Sequence, residues 1–271
     1  MAQDLFQSID SLDAAGVQRI VERLEFRDTY PTFVRMREDY LDRMALAPDA
    51  SVHELGCGTG VVCRAIARRP GYRGRIVGTD FSRALIDAAK RIAAADGLAS
   101  RIEYRVSDAQ SLEDPGAPYD VVIAHTLVSH VPSPEAVLAQ SARLVKRGGT
   151  VVVFDGDYAS LAWSTGERDL DAEMSTAIRT AMAAQPLVMR ELPRIAKENG
   201  LRVESFVPHP LVEAGKAEYF ASMAETFAPL AARSGIVSGV KVDRWLGLVR
   251  AASAAGTFYG TCIFATYLLR R

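Results

Sequence analysis

Three glycines stand at alternate positions in His53-Glu54-Leu55-Gly56-Cys57-Gly58-Thr59-Gly60, directly after a short apolar run. Glycine lets a chain turn sharply and lets its backbone approach a ligand with no side chain between them. If a helix follows, its first N–H groups point at whatever lies there. The dinucleotide-binding spacing G-x-G-x-x-G fails, because Val61 occupies its third glycine position. A triphosphate loop fails too, since no Gly-Lys-Ser/Thr ending is present. Two carboxylates complete the pattern. Asp80 closes the next apolar run and could accept hydrogen bonds from both hydroxyls of a ribose. Asp108, in Ser107-Asp108-Ala109, follows the third run and could accept from the exocyclic amine of adenine.

For these groups to meet, strands must alternate with helices. The predicted strands are Ser51–Leu55, Arg75–Asp80, Arg101–Val106, Tyr119–His125 and Thr150–Asp155. Between them, Ser82 is placed to cap a helix that stops at Gly97, and Ser133-Pro134 opens another that ends at Gly148-Gly149. That alternation predicts a parallel sheet with right-handed crossovers, with ligands beyond the carboxyl ends of its strands. Residues 1–48 read as a helical cap, with breaks at Pro31 and Pro48. Residues 49–155 form the core. Residues 156–271 read as helical additions over 160–199 and 213–255, with strands at Leu201–Val207 and Thr257–Leu269. The whole is expected to be a single domain.

Glu54-Leu55-Gly56-Cys57-Gly58-Thr59-Gly60, Gly78-Thr79-Asp80-Phe81-Ser82, Ser107-Asp108-Ala109-Gln110 and the stretch from Tyr119 through His125 to Leu138 occur in that order. Together they resemble the class I S-adenosylmethionine (SAM)-dependent methyltransferases. Within these, the chain is similar to the small-molecule branch of ubiquinone and menaquinone biosynthesis. The resemblance covers residues 51–155 and extends to the flanks only in general architecture. It implies an α/β, Rossmann-like, seven-stranded sheet with the last strand antiparallel and helices on both faces. It also implies SAM as cofactor, S-adenosylhomocysteine (SAH) as product, and no metal. Gly56 and Gly58, with Cys57 between them, would pass close to the methionine part of SAM. Asp80 would hold the ribose, Phe81 would flank the adenine, and Asp108 and Ala109 would contact its edge. His125 and Thr126 would line the sulfonium side. Glu54 has two readings, contact with the cofactor or support of the loop. Tyr30 and Arg35 in the N-terminal segment would meet the SAM carboxylate, with Arg37 the competitor to Arg35.

Methyl transfer from a sulfonium is an in-line displacement, and its first requirement is positioning. A base is needed where the acceptor loses a proton. His130, and less strongly His125, are the candidates, since an imidazole titrates near neutrality. The other reading of His130 is a side chain that orients its loop. Asp157, Tyr158 and Trp163 follow the fifth strand at the same sheet edge and are candidate acceptor contacts, with packing the alternative for the aromatics. His53 reads as a strand residue and His209, between two prolines, as a surface-loop residue.

The chain has 271 residues, with 32 Lys+Arg against 33 Asp+Glu, so a global grip on nucleic acid or an anionic membrane is not written into its composition. Its three cysteines form no CxxC pair, against a disulfide framework or a structural zinc site. No secretory leader opens the sequence, and the longest apolar run reads as a buried strand, so a cytoplasmic setting is expected. Ala124-His125-Thr126-Leu127 stands where amino-methylating enzymes of DNA carry Asn-Pro-Pro-Tyr/Phe. The leading expectation is a methyltransferase acting on a small organic acceptor through an O, N or C nucleophile, in secondary-metabolite or cofactor biosynthesis, as monomer or homodimer. The alternative is a non-methylating pericyclase or decarboxylase that keeps the same cofactor. An NAD-dependent dehydrogenase and a nucleic-acid methyltransferase rank below both.

Overall fold

Short β-branched runs ending in Gly, Asp or Ser make buried strands that stop at one level, and the computed structural model shows where they stop. It describes residues 9–114 and 116–271. Five parallel strands build the centre: β1 (Val52–Leu55), β2 (Ile76–Asp80), β3 (Ile102–Val106), β4 (Tyr119–His125) and β5 (Val145–Ser164). Two more, β6 (Arg202–Gly215) and β7 (Phe258–Arg270), complete a sheet of order β3-β2-β1-β4-β5-β7-β6. β7 is inserted antiparallel between β5 and β6. The seven-stranded sheet with an antiparallel last strand is therefore as expected. The strand order reverses between β1 and β4, which puts the crevice beside the loop that follows β1.

The helices α1 (Ala14–Thr29) and α2 (Pro31–Arg43) precede the sheet, and Pro31 starts α2 as its position predicts. Within the centre lie α3 (Val61–Ala67), α4 (Arg83–Ala95) and α5 (Pro134–Leu144). The predicted caps form: Ser82 Oγ accepts from Leu85 N–H at 3.2 Å and Ser133 Oγ from Ala136 N–H at 3.2 Å. Beyond β5 come α6 (Arg168–Met182), α7 (Val188–Glu198), α8 (Tyr219–Arg233) and α9 (Gly239–Ala255). One core, including Ile66, Ile123, Phe154 and Trp245, fills one face of the sheet, and a second, including Val122, Leu138, Val153 and Leu192, fills the other.

Three differences from the sequence expectation matter for the site. First, β5 does not end at Asp155 but continues to Ser164, so residues 160–164, expected to be helical, are strand. Second, β6 runs on to Gly215, and His209 lies in it rather than in a loop, opposite Phe264. Pro208 and Pro210 are tolerated because β6 is an edge strand, where one side of the backbone needs no ladder partner. Third, β5, β6 and β7 therefore project beyond the level at which β4 stops. Asp155 pairs with Ala265 near that level, while Trp163 pairs with Gly260 farther out. The register shift between Asp157 and Ala162 bends this extension. Trp163 packs edge-on against Phe220 and Trp245, so α6, α8 and α9 extend the first core over the projecting strands. Among the described residues no helix is long and apolar enough to cross a membrane.

Candidate active site

The glycine loop turns at the carboxyl end of β1 with all three glycines at positive φ: Gly56 at 64°, Gly58 at 53° and Gly60 at 79°. A Cβ at Gly60 would lie 2.1 Å from the Tyr104 hydroxyl, so the loop is closed on its inner side as well as left-handed. Its outer side borders a cavity of about 430 Å³. The cavity is lined by the loop, by Asp80 and Phe81 after β2, by Asp108 and Ala109 after β3, and by His125, Thr126 and His130 after β4. Residues far apart in the chain are thus brought to one place.

Asp80 is buried, and its carboxylate accepts from Gly58 N–H at 2.8 Å and Ser82 N–H at 2.9 Å. Burial pushes its pKa up to about 6, and the two N–H donors restrain that rise. Phe81 is exposed at the cavity rim. Glu54 lines the cavity floor, and its Oε2 accepts from Cys63 N–H at 3.1 Å and Cys63 Sγ at 2.9 Å, which ties β1 to the first turn of α3. Burial lifts its pKa to about 8. Cys57 is buried in the loop, and burial raises its thiol pKa well above the ordinary value. Asp108 is exposed, and its Oδ1 accepts from Gln110 N–H at 2.9 Å.

Thr126 is the sharpest local signal. It is β-branched, yet it holds φ at 49° while its N–H donates to Phe154 O at 2.6 Å. Such residues occupy the left-handed region only where the surroundings impose it, and such strain gathers at functional sites. His125, next to it, stacks on Phe154 with centroids 4.6 Å apart, and its Nδ1 lies 2.9 Å from the Tyr40 hydroxyl. Burial and the charges of Arg27 and Arg37 hold its pKa well below the ordinary histidine value. His130 faces both the main cavity and a narrow space beside it. Its ring lies close enough to Asp155 to lower that carboxyl's pKa, against the burial that raises it. Asp155 itself is saturated by Ser129 N–H, Ser129 Oγ and Gly156 N–H at 3.0, 2.9 and 2.7 Å.

Other expected residues stand elsewhere. The Tyr30 hydroxyl donates to Glu213 Oε1 at 2.5 Å, under α8 rather than toward the glycine loop. Arg35 is exposed and bonds Thr32 Oγ1 at 2.9 Å. Arg37 does line the cavity, but it is paired with Asp28. Asp157 is held by Arg190 at 2.9 Å, and Trp163 is packed edge-on against Phe220 and Trp245. Tyr158 alone of the three acceptor candidates borders the narrow space.

Two residues escaped the sequence reading. Arg27 of α1 lines the cavity and donates to Thr126 Oγ1 at 2.9 Å. The available signal was its place on the apolar stripe of α1, three residues after Leu24. Thr59 also lines the cavity, and its buried Oγ1 has no hydrogen-bond partner. A buried hydroxyl left unpaired asks for a ligand atom. Positive-φ glycines, that hydroxyl, a carboxylate at the end of β2 and a cation on the roof fit an adenosine carrying an amino-acid tail.

Comparison with known proteins agrees. Residues 52–149 match the model of a methyltransferase domain. The chain is 30% identical over 151 residues to a ubiquinone biosynthesis O-methyltransferase of Saccharophagus degradans, an overlap of 53% of this chain and 61% of that one. It spans about three fifths of the length of the first curated relatives it matches. Among solved structures, geranyl diphosphate C-methyltransferase from Streptomyces coelicolor, in complex with Mg2+, geranyl diphosphate and SAH, superposes with a TM-score of 0.54 at 19% identity, covering 95% of this chain and 83% of that one. The (4+2)-cyclase SpnF superposes with a TM-score of 0.55 at 19% identity, covering 88% and 81%.

Proposed function

We propose that this chain, a class I SAM-dependent methyltransferase by domain and fold, methylates a small organic acceptor that enters through the narrow space between β5 and α8, which meets the cavity at His130. SAM supplies, when bound, a methyl on a positive sulfur, which an acceptor lone pair takes in line while the C–S electrons return to sulfur. The observation that carries the reading is that the glycine loop, Asp80, Asp108 and the strained Thr126 line one cavity.

In this reading Gly56, Cys57 and Gly58 pass along the methionine part, and Thr59 Oγ1 finds its partner there. Asp80 accepts from the ribose hydroxyls while Gly58 and Ser82 hold it in place. Phe81 covers the adenine, and Asp108 and Ala109 meet its edge. Arg27, rather than Arg35, faces the amino-acid carboxylate. His125 is kept neutral and stacked, so its part is to shape the wall beside Thr126. His130 takes the acceptor's proton, with Asp155 beside it to favour the imidazolium that forms. Glu54 holds the loop to α3. Residues 1–48 act as roof, 49–155 as cofactor-binding core and 156–271 as acceptor side of a single domain. The setting is cytoplasmic small-molecule biosynthesis.

The test supplies the chain with methyl-labelled SAM and a fractionated small-molecule extract, read by mass spectrometry. A product heavier by one methyl is expected. SAH failing to bind would sink the reading. The likeness to SpnF keeps a non-methylating reaction as the second reading, and SAH binding with no label transferred to any fraction would favour it.

A further inference from the structure

Beside the cofactor cavity lies a narrow space of about 20 Å³ between α1, the projecting part of β5 and α8. It shares Leu24, Arg27 and His130 with the main cavity, so the two meet where His130 stands. Its walls are mostly apolar or aromatic: Tyr158, Met182, Tyr219, Met223 and Phe227. Arg23 enters this setting from α1. Its guanidinium sits 4.9 Å from the Phe227 centroid and 5.8 Å from that of Tyr219, and Nη1 donates to Ser222 Oγ at 3.1 Å.

The arginines of this region divide into two kinds. Arg37 is paired with Asp28, and Arg64 with Glu25 at 2.6 Å and Asp96 at 3.3 Å. Arg23 and Arg27 have no carboxylate partner among the described residues. Burial and the charge of Arg27 together push the pKa of Arg23 below its ordinary value. Arg23 is half-buried, and a cation partly withdrawn from water without a counter-ion carries a cost that ring faces offset only in part. The nearby Asp155 does not relieve it, since Ser129, Gly156 and His130 already engage that carboxylate. In the proposed reading the SAM carboxylate would answer for one of the two charges, that of Arg27, which lines the main cavity and bonds Thr126 there. Arg23 is left.

We propose that the acceptor is a carboxylate with an apolar or aromatic body, and that Arg23 ion-pairs its carboxylate in the narrow space. The body then spans the junction past His130, which places the reacting atom toward the cofactor side. The inference rests on the proposed methyl transfer for what the bound molecule undergoes, but not for whether it binds.

The experiment measures benzoate and benzamide binding to the full chain saturated with SAH, by calorimetry. Benzoate is expected to bind at least about tenfold tighter than benzamide. Arg23→Met should erase that preference, and Arg23→Lys should keep part of it, with SAH affinity within about twofold of the parent in both. Retained SAH binding shows that the variants fold. If the Met variant fails that check, Arg23→Gln, which keeps a donor toward Ser222, takes its place. Equal affinities, no binding of either probe, or a preference that survives removal of the charge would overturn the proposal. SAH failing to bind the parent chain would instead overturn the cofactor reading on which the methyl transfer depends.

Discussion

Glu54 shows how one residue couples the site to stability. Its carboxyl is lifted to about 8 by burial, against about 4.5 for a free side chain. Between those values the folded chain keeps a proton that the unfolded chain has lost. This group's contribution to stability is therefore full below about pH 4.5 and is lost as pH rises through about 8. Glu54→Gln keeps an acceptor for Cys63 and cannot ionise. Urea melts of the two proteins should diverge between pH 5 and 8, increasingly in favour of Gln; parallel profiles would refute the assignment. His130 belongs to the same scale. His130→Ala is expected to lower kcat at least about 100-fold while SAH affinity moves less than about threefold, the signature of a lost base. An unchanged kcat would reduce His130 to a residue that orients its loop.

Among the elements, the glycine loop is bounded by β3 as well as by its own turn. Gly60 and Gly71 both hold positive φ, at 79° and 75°, but only Gly60 has a neighbour where a Cβ would go. Gly71→Ala should cost about 1 kcal/mol, the ordinary penalty for a left-handed alanine. Gly60→Ala should cost about 3 kcal/mol, because overpacking against Tyr104 adds to the same penalty. Denaturant midpoints would compare them, and equal losses would show that Tyr104 moves aside freely. The projecting strands β5, β6 and β7 are the second decisive element. They pass through Gly156 and through Ser160 and Gly215, the last two at the starts of stretches that read as helical from the sequence. Strand pairing with β7 overrides that local preference.

At the scale of the whole molecule, the cofactor cavity lies where the N-terminal helices meet the loops at the sheet edge. The roof packs Phe33, Met36, Tyr40 and Leu41 of α2 into the core, and Arg27–Thr126, Tyr40–His125 and Glu25–Arg64 bond it to the β4 end and to α3. The Asp10 carboxylate also caps the first turn of α4, accepting from Arg83 N–H at 3.0 Å. A ligand bridging roof and loop stabilises the fold by mass action, about 2.7 kcal/mol at a hundred times its Kd. For a chain of this size that corresponds to a Tm rise of roughly 5–10 °C. Asp80→Ala removes a charged acceptor, and SAH affinity should fall about 10- to 100-fold, which at the same ligand concentration removes about half of the Tm rise at the lower figure and most of it at the higher. A full thermal shift in that variant would count against Asp80 as the ribose partner.

What the sequence determined by itself is local in origin. The spacing of Gly56, Gly58 and Gly60, the carboxylates closing β2 and following β3, and the Ser82 and Ser133 caps are each written within a few residues, so the parallel sheet and its ligand edge were legible. Only the tertiary structure decided which arginines line the cavity and that Arg27, unlike Arg37, does so without a carboxylate partner among the described residues. Arg27 and Arg35 lie on successive helices, and the break between α1 and α2 at Tyr30-Pro31 leaves the first facing Thr126 and the second facing solvent. The same holds for Trp163, whose place depends on α8 and α9, more than fifty residues away in the chain. Helix direction and long-range packing are set by burial summed over the whole core, and no window of neighbouring residues contains that sum.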